Sequence, residues 1–198
     1  MCSLRFITAI AAGILISAPI IVAENIDPYE SGQQYGWSEN TGWLNAEPDT
    51  GDGVQISATN LTGYIWAENI GWVNLSPDTY GGVVNDGEGS LSGYAWAENA
   101  GWINFNPLYG GVTIDADGYF DGWAWGENIG WIRFDAAQSW SVQVCIVTLE
   151  DLENFASFWL QSGDIPANLD GANSVDMADY SMFASWWKDY CPDGWQLK

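Results

Sequence analysis

One stretch of this chain is written four times. Gly-Tyr-Ile-Trp-Ala-Glu-Asn-Ile-Gly-Trp-Val-Asn-Leu, at residues 63–75, returns at 93–105 and 122–134, and a shorter version occupies 35–45. The marker residues Trp37, Trp66, Trp96 and Trp125 follow one another at intervals of 29, 30 and 29 residues. So regular a period belongs to chains that bury their core by packing one supersecondary unit against the next.

Each copy reads as a β-hairpin. Tyr64-Ile65-Trp66 and Trp72-Val73-Asn74-Leu75 are aromatic and β-branched runs, suited to a pleated, half-buried surface. The residues between them include Asn69 and end in Gly71, types that tolerate the positive φ of a tight loop. This places Trp66 opposite or nearly opposite Trp72. Period-2 alternation puts Tyr64, Trp66, Trp72 and Asn74 on one face and Ile65, Val73 and Leu75 on the other. Ahead of three hairpins lies a further short strand, at 54–56, 82–84 and 112–114, followed by turn residues such as Asp86-Gly87 and Asp117-Gly118. About three strands in 30 residues is too little for a four-stranded propeller blade. The expectation is a mainly β fold: an antiparallel, solenoid-like domain of four repeats over residues 24–137. The first copy, without a leading strand, reads as a cap. Arg133, where the other copies carry Asn45, Asn74 and Asn104, reads as the mark of the other end.

The aromatic face has two possible uses. Tyr64, Trp66, Trp72, Tyr94, Trp96, Trp102, Trp125 and Trp131 could form an exposed row that stacks sugar rings, with Glu and Asn bonding the hydroxyls. They could equally form a ladder packed between repeats. Burial is the expected use, because large aromatics bury well and repeats need a core. The recurring Glu39, Glu68, Glu98 and Glu127 suggest a glycosidase, which works with paired carboxylates. Four near-identical loops, however, lack the asymmetry that splits two carboxyl pKa values, so the expectation is no enzyme and no catalytic residue.

Composition narrows the partners. Twenty-six acidic residues face four basic ones, for a formal charge of −22, and there is no His. Nucleic acid and anionic lipid, which need a basic footprint, are excluded. The commonest general base and zinc ligand is missing. Residues 1–23 read as a signal peptide: Arg5, an apolar run over 6–22, then Ala23 before Glu24. The mature chain is expected to be secreted, periplasmic or on the surface of a bacterial cell, with no membrane contact after cleavage. Cys2 would leave with the leader. The remaining pair, Cys145 and Cys191, reads as a disulfide.

From residue 138 to 198 the pattern turns helical. Leu149, Leu152, Phe155 and Trp159 share a helical spacing with Met177, Tyr180, Phe183 and Trp187, and the two segments repeat at an interval of 28 residues. Before the second lies Asn168-Leu-Asp170-Gly-Ala-Asn173-Ser174-Val-Asp176-Met-Ala-Asp179. Oxygen-bearing side chains at its first, third, ninth and twelfth places, with Ser174 at the seventh, follow the spacing of an EF-hand calcium loop. Ala172 supplies no ligand at the fifth place, and Asn173 stands where the sharp-turn Gly belongs. Residues 140–191 resemble the dockerin type I-like modules of secreted bacterial proteins. The resemblance implies a calcium-stabilised helical module, with one calcium at most, that binds a cohesin-like or other surface protein. Thr148 and Asp151 echo Asp176 and Asp179 in its first half. The hairpins resemble Gly-Tyr-Ala-Trp-x-Glu-Asn-Ile-Gly-Trp-type repeats of secreted bacterial proteins, which carry no activity across. The expected function is non-enzymatic surface attachment or assembly, with polysaccharide binding through the Trp/Tyr face as the alternative.

Overall fold

The structure is a computed structural model that describes residues 25–172, 174–192 and 194–197. The expected leader, with Cys2 and Arg5, lies outside them, as does Asn173. In chain order the strands are β1 (Tyr35–Ser38), β2 (Gly42–Asn45), β3 (Gln55–Ile56), β4 (Asn60–Thr62), β5 (Tyr64–Ala67) and β6 (Gly71–Asn74). They continue as β7 (Gly82–Asn85), β8 (Leu91–Ala97), β9 (Gly101–Asn104), β10 (Gly111–Ile114), β11 (Phe120–Gly126) and β12 (Gly130–Phe134). Two helices follow, α1 (Leu149–Ser157) and α2 (Met177–Ser185).

The four expected hairpins form, with Trp66 directly opposite Trp72, Trp96 opposite Trp102, Trp125 opposite Trp131 and Trp37 opposite Trp43. They do not stack as a solenoid. β2 pairs with β5, β6 with β8, β9 with β11, and β12 returns to pair with β1, where Trp37 faces Arg133. Eight antiparallel strands therefore close into a barrel. Closure leaves no sheet edge to protect, and no copy is an end. Arg133 marks a seam of the ring instead.

The lumen explains the closure. Inward positions carry Leu44, Ile65, Ala67, Val73, Ala95, Ala97, Ile103, Ala124 and Ile132, all buried. Eight strands leave an interior just wide enough for side chains to fill. Small and branched aliphatic residues fill it, whereas a double set of indoles could not. Ile70, Ala100 and Ile129, from the hairpin tips, close its mouth.

Below the hairpins a second tier of pairing continues the ring. β4 pairs with β3 and β7, and β7 and β10 pair with the leading halves of β8 and β11. Bridges join Ser90 to Thr113, Tyr119 to Gln143, Gln34 to Val142 and Ile26 to Val144. Asn25 completes the tier with its side chain, accepting the Ile56 N–H at 2.9 Å and donating to the Ile56 carbonyl at 2.8 Å. Residues 141–144 thus give the first repeat the leading strand that its own sequence lacks. The Tyr35 N–H bonds the Trp140 carbonyl just as the Tyr64 N–H bonds that of Asp52. The first repeat is no cap, and Val142 and Val144 belong to the barrel core although they lie past residue 137. Where the chain climbs from the lower tier into a hairpin it uses glycine. Gly93 has φ 90°, and a Cβ there would overlap the Gly82 carbonyl oxygen.

The helical module is small. Phe155 and Phe183 stack at 5.1 Å between centroids, over a core of Val147, Ala167, Val175 and Leu197. Both helices begin with a capping box, Thr148 with Asp151 and Asp176 with Asp179. Cys145 and Cys191 are bridged, with Cα atoms 5.3 Å apart. The module sits at the turn end of the barrel, opposite the hairpin tips. There Asn85 donates to the Tyr190 hydroxyl at 2.8 Å and Asn25 to the Cys191 carbonyl. No helix among the described residues is long and apolar enough to cross a membrane.

Candidate functional site

The inward face of each hairpin is aliphatic, so its other face must turn outward, and that face is the aromatic one. The expected buried ladder is therefore overturned. Tyr64, Trp66, Trp72, Tyr94, Trp102, Trp123 and Trp131 are each about two-fifths exposed, whereas Val73 is 1% exposed. Trp96 and Trp125 are half-buried.

Each hairpin displays one aromatic triplet. The paired indoles Trp37 and Trp43, Trp66 and Trp72, Trp96 and Trp102, and Trp125 and Trp131 all meet edge to face at 4.8 Å. A third ring lies 6.0–6.4 Å from the second indole: Tyr35, Tyr64, Tyr94 and, in the last hairpin, Trp123. Edge-to-face contact suits the ring quadrupoles and holds the indoles upright on the barrel wall. The result is a girdle of twelve rings. Eight of its members are those that the sequence pattern offers for stacking. Tyr35, Trp37, Trp43 and Trp123 complete the girdle, and all four stand in the repeat register.

Between neighbouring hairpins the girdle opens into grooves. One encloses about 590 Å³ between Trp72 and Trp96, with Tyr64, Asp52, Glu98 and Asn99 on its walls. The next encloses about 760 Å³ between Trp102 and Trp125, with Tyr80, Tyr94, Glu127 and Asn128. A third, about 640 Å³, lies between Trp131 and Trp37, with Trp123, Glu39, Asn40 and Arg133. These volumes fall in the range of small-ligand sites. The repeated Glu and Asn now have separate places. The Asn side chain staples its hairpin to the tip of the preceding one: Asn99 donates to the Ile70 carbonyl at 3.0 Å, Asn128 to that of Ala100 at 3.0 Å, and Asn40 to that of Ile129 at 2.8 Å. The neighbouring Glu98 and Glu127 are exposed on the groove wall.

The fourth seam differs. After each hairpin the exit loop reaches the back of the next hairpin's second indole, with Gly51 against Trp72, Gly81 against Trp102 and Gly110 against Trp131. In the corresponding place Trp140 meets Trp43 edge to face at 5.3 Å. No repeat register marks Trp140 in the sequence, because the ring must close before it meets the first hairpin.

In the helical module Asp179 is fully buried. Its Oδ1 accepts the N–H groups of Leu169 at 2.7 Å and Asp170 at 3.1 Å, and its Oδ2 accepts that of Asp176 at 2.8 Å. Burial pushes this carboxyl up, but the three N–H groups outweigh it and hold the carboxyl below the usual range. Asp170 accepts the Ala172 N–H and Asp176 that of Ala178. Asn168 donates to the Gly163 and Ala172 carbonyls, while its Oδ1 is buried without a partner. Ser174 is half-buried. The loop's carboxylates are thus turned to backbone N–H groups, and among the described residues no three His, Cys, Asp or Glu side chains converge as a metal site. Leu149, Met177, Tyr180, Trp159 and Trp187 are exposed although they share the helical spacing of Phe155 and Phe183. Each nine-residue helix buries only two residues, Asp151 and Phe155 in α1 and Asp179 and Phe183 in α2, and both Trp residues lie beyond the helix ends. Trp195 fills the core instead, against Phe183 and Trp186, with its Nε1 donating to Asp151 at 2.7 Å.

Comparison with protein-family models, curated proteins and solved structures finds no match for this chain.

Proposed function

We propose that this chain is an extracellular, non-enzymatic carbohydrate-binding protein, in which the barrel holds polysaccharide and the helical module tethers it. The observation that carries this reading is the outward girdle: half-exposed indole pairs repeat around a rigid barrel, each groove with carboxylate and amide groups beside the rings. The C–H face of a pyranose is apolar and flat, and it gains by covering an indole. Glu98, Glu127 and Tyr94 then lie within the same grooves to meet ring hydroxyls. Charge disfavours nucleic acid as the stacking partner. The eight barrel strands, four to seven residues long with their aliphatic side inward, suit a water-soluble ligand rather than a bilayer, where a spanning strand needs about 9–11 residues. The bridge between Cys145 and Cys191 agrees with an exported chain.

The test is tryptophan fluorescence and pull-down with a panel of insoluble and soluble polysaccharides. Trp102→Ala and Trp72→Ala should each weaken binding at least tenfold while the barrel remains folded. Full binding by the folded double variant would refute the reading. For the helical module, the exposed Leu149, Met177, Tyr180 and Trp187 favour a protein partner of cohesin-like kind, as the dockerin-like pattern implies. Calcium binding through Asn168, Asp170, Ser174, Asp176 and Asp179, as the loop spacing implies, would have to draw the Asp179 carboxylate away from the three N–H groups it accepts. Millimolar calcium should then raise the melting temperature of the disulfide-bonded chain. No shift would mean that the Asp179 hydrogen bonds alone hold the loop.

A further inference from the structure

The girdle's electrostatics narrow the ligand, on the footing of the carbohydrate reading above. Of the four basic residues two are described, and both lie over an indole. The Arg133 guanidinium is 5.8 Å from the centroid of Trp123, and the Lys188 ammonium is 5.7 Å from that of Trp187. Wherever the described chain has a cation, an aromatic face holds it.

Arg133 is the instructive case because it stands inside the girdle. It occupies the strand position of Asn74 and Asn104, directly across from the third ring of its hairpin: Arg133 faces Trp123 as Asn74 faces Tyr64 and Asn104 faces Tyr94. Asp135 pairs with the guanidinium and also accepts the Ala137 N–H, the same kind of turn bond that Asn45, Asn74 and Asn104 accept two positions earlier in their repeats. One groove of three thus contains a cation of the chain's own, on a ring and beside a carboxylate. The other two offer the same surroundings without one. Glu98 and Asp52 stand by Tyr64, Trp72 and Trp96, and Glu127 stands by Tyr94, Trp102 and Trp125. The ring face is negative, the groove wall is negative, and the whole chain carries −22.

We propose that the grooves beside Tyr64 and Tyr94 bind ammonium-bearing sugars, the 2-amino-2-deoxyhexose units of a polycationic polysaccharide, and that Arg133 fills the third groove in their place. A neutral hexose gains stacking and hydrogen bonds from its hydroxyls. The amino sugar adds attraction of its ammonium to the rings and to the groove carboxylate. Both additions act at half-exposed sites and are modest, together about five- to tenfold in affinity per unit.

The pair of probes that isolates the ammonium is a β-1,4-linked glucosamine pentamer and a glucose pentamer of the same linkage, titrated calorimetrically into the disulfide-bonded chain at mildly acidic pH. A lysine pentamer measures diffuse attraction to the net charge. The glucosamine pentamer should bind about five- to tenfold tighter than the glucose pentamer, at two sites per chain, with a preference that fades in high salt. Glu98→Gln with Glu127→Gln, both exposed positions, should bring the preference ratio towards one. Arg133→Asn should raise the count from two sites to three. Equal affinity of the two pentamers would overturn the inference and leave the carbohydrate reading standing, whereas no binding of either would overturn both. Lysine pentamer binding as tight as the glucosamine pentamer would show that net charge, not the grooves, selects the cation. A folded Arg133→Asn variant that still shows two sites would refute the role given to Arg133.

Discussion

Ring closure makes an unusual demand on three asparagines. Asn40, Asn99 and Asn128 each donate to a carbonyl at the tip of the preceding hairpin, at 2.8, 3.0 and 3.0 Å. In an open stack Asn40, from the first copy, would have no preceding hairpin to reach. In the barrel it reaches the fourth, and its bond should equal the other two. Each bond is partly buried, so water can replace part of it, and its net worth is about 1 kcal/mol. For a chain of this size that is about 2–4 °C in melting temperature. The three bonds lie at different seams and share no partner, so the triple Ala variant should lose about 3 kcal/mol. Asn69, the fourth member of the set, has no such bond among the described residues, and Asn69→Ala should cost little. The assay is urea unfolding followed by tryptophan fluorescence, with unchanged slopes as the sign that only stability moved. Loss in Asn99→Ala and Asn128→Ala but none in Asn40→Ala would refute the closed ring.

Other perturbations test the rest of the molecule. The Asp179 carboxyl is held below its ordinary range in the folded chain, so the stability it contributes is present above that range and disappears as pH falls through its folded value. The helical module should therefore weaken below about pH 4, and Asp179→Asn should blunt this acid step in near-ultraviolet dichroism. Asp179→Ala should cost about 2–3 kcal/mol, because three N–H groups lose their acceptor. Thiol titration of the unreduced, denatured mature chain should find no free thiol, and reduction of the bridge, which joins cysteines 46 residues apart, should cost about 3–4 kcal/mol. Gly93→Ala should destabilise by about 3 kcal/mol or more, since its Cβ meets a carbonyl oxygen, while Gly82→Ala, at φ 99° with open space around it, should cost only about 1–2 kcal/mol. Similar losses at the two glycines would contradict the close approach of the strands.

What the sequence made legible was local. The hairpins, the pairing of Trp66 with Trp72, the leading strands and the two helices follow from periodicity and turn chemistry within a few residues, and the cysteine bridge from the single pair that remains once the leader is set aside. The ring was not legible, because whether repeats stack or close depends on strand tilt and on a pairing between residues 37 and 133 that no local pattern carries. The direction of the aromatic face was misjudged for a physical reason that the residues do contain. Both faces are apolar, so hydropathy cannot choose between them, but size can: Ala67, Ala95, Ala97 and Ala124 fit the bore of an eight-stranded barrel and the indoles do not. The roles of Trp140 and of residues 141–144 required the ring itself, since they complete a first repeat from which they are separated by the whole barrel. In the helical module the spacing of Asp170, Asp176 and Asp179 was visible, but not that their oxygens serve the loop's own N–H groups.

Closure also sets how this architecture can change through evolution. A stack can gain or lose a unit by unequal recombination and remain a stack, one layer longer or shorter. Here a fifth copy would have to make a ten-stranded wall, whose wider bore the present alanines and valines could not fill, and a three-copy chain would crush the same side chains into a six-stranded one. Duplication or deletion of one unit should therefore be rejected as a whole. Change is left to substitution within a fixed set of four, and a departure such as Arg133 shows where the copies have diverged without altering their number.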